Sequence, residues 1–329
     1  MNLSGALIGF GILQAVLYLL FIRAIDLYER EPLRYVVPVF IWGFAVATTV
    51  SLVFNTLFQL TLSSVTSVQT ANFFTAVLVA PVVEESSKGF ALLLIFFIAY
   101  LVRRRSGLIE FAGVMDGIVY GSAVGFGFAI AEDILYGLQY GPETFVVRRI
   151  FGGFAHAAFT SLTGIGFGLI PWVHNMMLKV SLPLLGLFGA IMLHAAFNFT
   201  ATLFGPVGYL VLFFVIMAYI ILIIVWLAIE RQIIRTELYE EVGAGTITTQ
   251  EYAILPSYFL RTWYYLGLIF TGKLGAWTRA RRLHASAVDL ALAKRLARRS
   301  RTPGSIDRVR MLRQKIKAMR EGAGSMAAS

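Results

Sequence analysis

From Leu3 to Ile229 the chain is a succession of apolar runs, and no other feature restricts its fold so strongly. Runs of about 20 residues, at 1.5 Å per residue, match the hydrocarbon thickness of a bilayer. In lipid every backbone N–H and C=O must be satisfied within the protein, so such runs are read as helices. Spans are predicted near 4–22, 36–60, 72–101, 113–138, 150–173, 183–204 and 206–229, about seven in all. Hydrophobic residues make up 58% of the chain and charged residues 14%, and mean hydropathy is +0.76, which excludes a soluble globular domain. The fold class expected is all-α: a polytopic membrane helical bundle with a basic helical tail. The first run, Leu3 to Ile22, lacks a basic leading region and a small-residue cleavage site, so it reads as a retained helix. With no cysteine, disulfides and thiol catalysis are excluded.

Charge divides the chain in two. Residues 1–229 carry 10 Lys+Arg and 10 Asp+Glu, whereas residues 230–329 carry 18 and 8, so the tail holds the entire +10. Residues 1–229 are therefore expected to be the transmembrane catalytic bundle and 230–329 a basic cytoplasmic helical tail. Arg23, Arg30 and Arg34, then Arg103 to Arg105, then Lys179, place the odd-numbered loops on the cytoplasmic side. The protein is thus expected to be multi-pass in the cell membrane, N-terminus outside and C-terminus cytoplasmic. Beside a membrane, the basic tail is expected to meet anionic lipid headgroups, not nucleic acid. Within it, "YFLRTWYYLGLIFTGKLGAW" is too short and too interrupted to span, and reads as an interfacial or packed helix. Two amphipathic helices joined at "RTPG" follow.

Against this background the charges inside the spans stand out. The third carries "EESSK", with Glu84 and Lys88 on one helical face at i, i+4 and Glu85 turned about 100° away. The fourth carries Asp116, Phe128, Glu132, Asp133 and Tyr136, with Gly121, Gly125 and Gly127 permitting close helix approach. The fifth carries His156, and the sixth His194 and Asn198 on one face. Intramembrane ionisable residues are expensive, face the interior and mark function. An ion pair of Glu84 with Lys88 accounts for two of them and leaves Glu85, Glu132 and both histidines to be explained. His174, at a helix end, and His284, in the tail, read as ordinary.

A buried Glu suits proton abstraction from water, and His and Asn can orient that water or stabilise an oxyanion. Glu and His can equally ligate Zn²⁺ with a water in the open position. Either arrangement suits peptide hydrolysis within the membrane. There is no HExxH, no aspartyl pair and no serine elbow.

The ordered set "DLYEREPL", "EESSK", "GFGFAIAED..LY", "HAAFTSLTGIGFG", "LHAAFN" and "LYEEVGAGTITTQEY" resembles the PrsW family of intramembrane proteases over roughly residues 20 to 255. The resemblance implies site-one cleavage of a single-span membrane protein such as an anti-sigma factor. It implies catalytic roles for Glu84, Glu85, Glu132, His156, His194 and Asn198, with Lys88, Tyr136 and Phe128 in support; Asp133 stands where the family pattern has Asn. The cofactor expectation is none or Zn²⁺, and a zinc ion would take Glu85, Glu132, His156 and His194. The competing readings are a non-catalytic membrane scaffold of the same fold and a proton-coupled transporter, the latter calling for inverted repeats that are not evident.

Overall fold

The computed structural model describes residues 3–106, 111–152, 154–300 and 303–327. The described chain is helical, with no strand, and divides into two compact units. The membrane unit comprises residues 1–26, 31–105 and 109–223; the tail unit comprises 27–30, 106–108 and 224–329.

In the membrane unit α1 runs Leu3–Ile25. Next, α2 (Leu33–Ile41) and α3 (Thr48–Ser63) join through a π-helical turn, Trp42–Ala47, into one long helix. Pro38 sits inside α2, four residues before the wide turn. α4 (Val68–Phe74) is capped by the Ser67 side chain and passes through a second π turn, Thr75–Val79, into α5 (Ala80–Ser106). Then come α6 (Val114–Tyr140), α7 (Pro142–Gly152), α8 (Ala155–Gly168) and α9 (Met176–Phe204). Gly205, at φ +54°, turns the chain into α10 (Gly208–Gly243). The predicted fifth span is instead the two helices α7 and α8, and α8 is only 14 residues long. By length and composition, four described stretches can cross a membrane: Gly5–Ile25, Leu33–Ser63, Val114–Tyr140 and Met176–Gly243, the last containing both α9 and α10.

α6 is the axis of this unit. Every residue from Val114 to Ala131 is buried, as expected of a helix apolar on all sides. Its neighbours come close because of glycine: a Cβ on Gly127 would overlap the Phe40 carbonyl oxygen, and one on Gly43 the Val124 carbonyl oxygen. The outer surface is apolar, with Leu185 65% and Phe214 67% exposed, while Glu85 and Lys88 are 0% exposed. This is the arrangement of a protein solvated by hydrocarbon.

The tail unit contains the end of α10, then α11 (Thr249–Ile254), α12 (Tyr258–Phe270), α13 (Leu274–Ser300) and α14 (Pro303–Ala327). Thr248 and Glu251 form a reciprocal capping box at the start of α11. Ile234, Leu238, Val288, Ala291, Leu312 and Ile316 share a core with Tyr28, whose hydroxyl donates to the Pro256 carbonyl at 3.0 Å. Lys294 donates to Glu241 at 2.7 Å, and Arg313 pairs with the same carboxylate at 2.6 Å, so part of the tail's basic charge is used internally. His284, read from sequence as ordinary, is buried and accepts or donates across 3.0 Å to Tyr265. Burial pushes its pKa down to about 4.

Two outcomes are expected. Gly127→Ala should lower the thermal stability of the purified protein by about 1–3 kcal/mol or more through overpacking. Gly9→Ala, where a methyl meets nothing within 4 Å, should leave it unchanged or slightly raised. In the tail unit, unfolded His284 binds a proton near pH 6.5, whereas the folded residue stays neutral down to about pH 4. Its contribution, at most about 3 kcal/mol, is therefore present above pH 6.5 and lost as pH falls from 6.5 toward 4. Hydrogen exchange in α13, corrected for intrinsic rates, should show protection falling over that window, and His284→Phe should flatten the fall.

Candidate active site

The candidate site lies within the membrane unit, where α5, α6, α8 and α9 each bring ionisable side chains to one place. On α5 the Lys88 ammonium donates to Glu85 at 2.8 Å and to His156 Nδ1 at 2.9 Å, and lies 3.7 Å from Glu84. It also stands 3.8 Å over the Phe128 ring of α6, a favourable cation–π position. Lys88 does pair with Glu84 at i, i+4, as helix spacing predicts, but the expectation that Glu85 lacks a partner in its own helix is corrected: Lys88 bonds it at i, i+3, and more closely. The reason is that Glu85 is fixed from other helices, by Thr160 at 2.8 Å and His194 Nδ1 at 3.1 Å, so the lysine turns to it.

These contacts settle the histidine tautomers. An ammonium only donates, so His156 accepts at Nδ1 and its Nε2–H donates to Glu132 at 2.8 Å. A carboxylate only accepts, so His194 Nδ1–H donates to Glu85, and Nε2 is left directed at Glu84 across 3.9 Å. Glu132 also pairs with Arg148 of α7 at 2.6 Å. The same arginine donates to Asp133 at 2.7 Å and lies 4.0 Å over the Tyr136 ring. Asp133, which could have been merely interfacial, is buried.

Two of the predicted residues take different places. Asn198 donates to the Ala76 carbonyl at 2.8 Å, in the π turn that precedes α5, and so braces the helix that bears the glutamates. Glu85 is enclosed and bonded at both oxygens, whereas Glu84 Oε2 is buried with no hydrogen-bond partner. Glu84 also faces Asn55 of α3, whose amide lies 3.4 Å from Oε1 and whose own Oδ1 is unpartnered. Arg148, Thr160 and Asn55 escaped the sequence reading. Thr160 shares a face with His156 at i, i+4, a usable signal, but Arg148 and Asn55 sit on elements whose approach no spacing encodes.

The donor set fits a metal. Four carboxyl groups, Glu84, Glu85, Glu132 and Asp133, share this region with the cations Lys88 and Arg148. Glu84, His156 and His194 can each present one ligand atom, all within 4.8 Å of one another. The expected ligands Glu85 and Glu132 are not in this group, since both are taken up by cations and histidine N–H groups. Glu84 Oε2 and His194 Nε2 are already available, and His156 would have to give up one bond to join them. The Glu85–His194 contact is then the carboxylate–histidine orientation that metal sites use.

The sequence profile of the PrsW family, described as intramembrane metalloproteases, matches residues 31–226. The chain belongs to the PrsW family. Every residue of the cluster falls inside the matched segment, and the tail from 227 onward falls outside it. Protease PrsW of Geobacillus kaustophilus (strain HTA426) is 33% identical over 163 residues, covering 50% of this chain and 66% of that protein. Protease PrsW of Bacillus subtilis (strain 168) is 29% identical over 197 residues, 60% of this chain and 83% of that protein. Protease PrsW of Shouchella clausii (strain KSM-K16) is 31% identical over 118 residues, 36% of this chain and 51% of that protein. The chain therefore spans just under two thirds of the first of these relatives. No solved structure matches it.

The Arg148 cluster gives a direct test. Arg148→Leu removes the guanidinium that Glu132 and Asp133 share and should cost on the order of 3 kcal/mol in stability. Adding Glu132→Gln and Asp133→Asn should recover most of the loss in thermal melts. A single variant that melts like the parent would mean that this ion cluster does not hold α7 to α6.

Proposed function

We propose that this PrsW-family chain is an intramembrane endopeptidase in which Glu84 activates water to make a site-one cut in a single-span membrane protein such as an anti-sigma factor. The observation that carries the reading is the orphaned Glu84 Oε2, buried beside His194 Nε2 and the Lys88 ammonium. A buried acceptor lacking a donor invites water or a cation. In this proposal residues 1–229 cross the membrane seven times, N-terminus outside, and 230–329 form a cytoplasmic tail that meets anionic lipid.

Glu84 takes the proton of the attacking water as the oxygen adds to the scissile carbonyl, and returns it to the leaving amine nitrogen as the C–N bond breaks. Asn55 can hold the same water through its free Oδ1. Glu85 keeps the His194 ring oriented and Lys88 in place, acting through them and not on substrate. Zn²⁺, when bound, would be held by Glu84, His156 and His194 and would supply the acidified water and a polarised carbonyl, with Glu84 then a ligand in place of its role as base.

The two glutamates are therefore expected to fail differently. Glu84→Gln in proteoliposomes should lower kcat on a single-span reporter substrate by about 10²–10⁴, with near-normal melting. Glu85→Gln should destabilise the protein by about 3–5 kcal/mol, because it leaves Lys88 buried without its closest partner. Metal analysis should show reduced zinc content in Glu84→Gln and His194→Ala. Parent-like turnover by Glu84→Gln would remove it as the base.

A further inference from the structure

α12 has its polarity reversed. Its buried side carries Arg261, which is 7% exposed, donates to the Leu27 carbonyl and lies 5.5 Å over the Tyr28 ring. Tyr265, on the same side, bonds His284. The outward side carries Phe259, Trp263 and Phe270, exposed by 67, 57 and 82%. At 100° per residue these three positions fall within an arc of about 40°. Leu260 widens the strip, and Leu274 extends it past the turn at Gly272. In water a contiguous aromatic strip of this kind is a binding surface, not a tolerated accident.

Its chemistry identifies the partner. Lys273, Arg279 and Arg282 follow the strip directly and are exposed. The strip contains no acidic residue, and α12 as a whole contains none. Trp and Phe beside Lys and Arg are the residues that settle at the boundary between acyl chains and anionic headgroups. At 13 residues, α12 is too short to span, so it would lie in the plane of that boundary. The α10 apolar run precedes it in the same chain, so a bilayer is always at hand. We infer that α12 is an in-plane membrane anchor of the tail, docking Phe259, Trp263 and Phe270 into an anionic lipid interface.

The absence of cysteine makes the test clean, since a single introduced thiol is the only labelling site. Nitroxides would be placed by Phe259→Cys, Trp263→Cys and Phe270→Cys in the full chain, in nanodiscs of phosphatidylcholine with phosphatidylglycerol. Leu185→Cys, on the apolar outer surface of α9, serves as the lipid reference, and Lys317→Cys on α14 as the aqueous one. The three α12 labels should resemble Leu185→Cys, accessible to oxygen and shielded from a water-soluble nickel chelate. Nickel accessibility like that of Lys317→Cys would overturn the inference. Shielding from both reagents would also overturn it, by showing a protein partner on the strip. The triple reversal Lys273→Glu, Arg279→Glu, Arg282→Glu should raise nickel accessibility at Phe270→Cys at least two-fold in the anionic discs and less in discs of phosphatidylcholine alone. An equal response in both would remove the anionic-lipid part.

Discussion

A single ammonium group enclosed by protein organises the membrane unit. Lys88 is fully enclosed, and a charge there is tolerable only if acceptors close around it. Those acceptors come from different elements: Glu85 on its own helix, His156 on α8 and the ring face of Phe128 on α6. Because the lysine can only donate, it fixes the proton of His156 on Nε2, and that proton selects the oxygen of Glu132 that it meets. Glu132 in turn shares Arg148 with Asp133, which ties α7 to the end of α6. One charge thus propagates orientation through four helices by donor and acceptor rules alone.

That wiring requires helices to approach more closely than large side chains permit. The glycines at 43 and 127 let α6 meet the α2–α3 helix backbone to backbone, and the π turn after Pro38 supplies the local widening there. The second π turn, at Thr75–Val79, leads into the glutamates and presents the Ala76 carbonyl to Asn198. The exposed apolar exterior contributes little to holding this arrangement, since lipid is as apolar as leucine; close packing and interior polar bonds must do so.

Much of this was legible in the sequence. Apolar run length gave helices, because a bilayer leaves the backbone no alternative. Interior charges picked out Glu84, Glu85, Lys88, Glu132, His156 and His194, all of which the fold brings into one network. Spacing on one helix could say that Glu84 and Lys88 are neighbours, but not that Thr160 and His194, from α8 and α9, would pull the lysine toward Glu85. Arg148 was invisible for a related reason: a cation in a connecting segment looks solvated until α7 folds back on α6. His284 looked like a tail residue because the tail's composition suggests an exposed, charged surface; it is buried against Tyr264 and Tyr265 of another helix, α12. Contacts between distant segments are the part that periodicity does not carry.

In the proposed mechanism the adjacent glutamates separate structure from chemistry. Successive residues on a helix point about 100° apart, so two carboxylates side by side in sequence meet different surroundings. Glu85 turns toward Lys88, Thr160 and His194 and has both oxygens bonded. Glu84 turns toward Asn55 and the open edge of His194, and one oxygen remains unbonded. A carboxylate already satisfied gains little by taking a proton, because it would have to surrender a bond to an ammonium. An unsatisfied one gains a partner when it accepts a proton or a cation. Whatever brings positive charge to Glu84, a proton taken from water or a divalent ion carrying that water, satisfies its unbonded oxygen, so the step that the proposed chemistry needs is also one that the buried site favours.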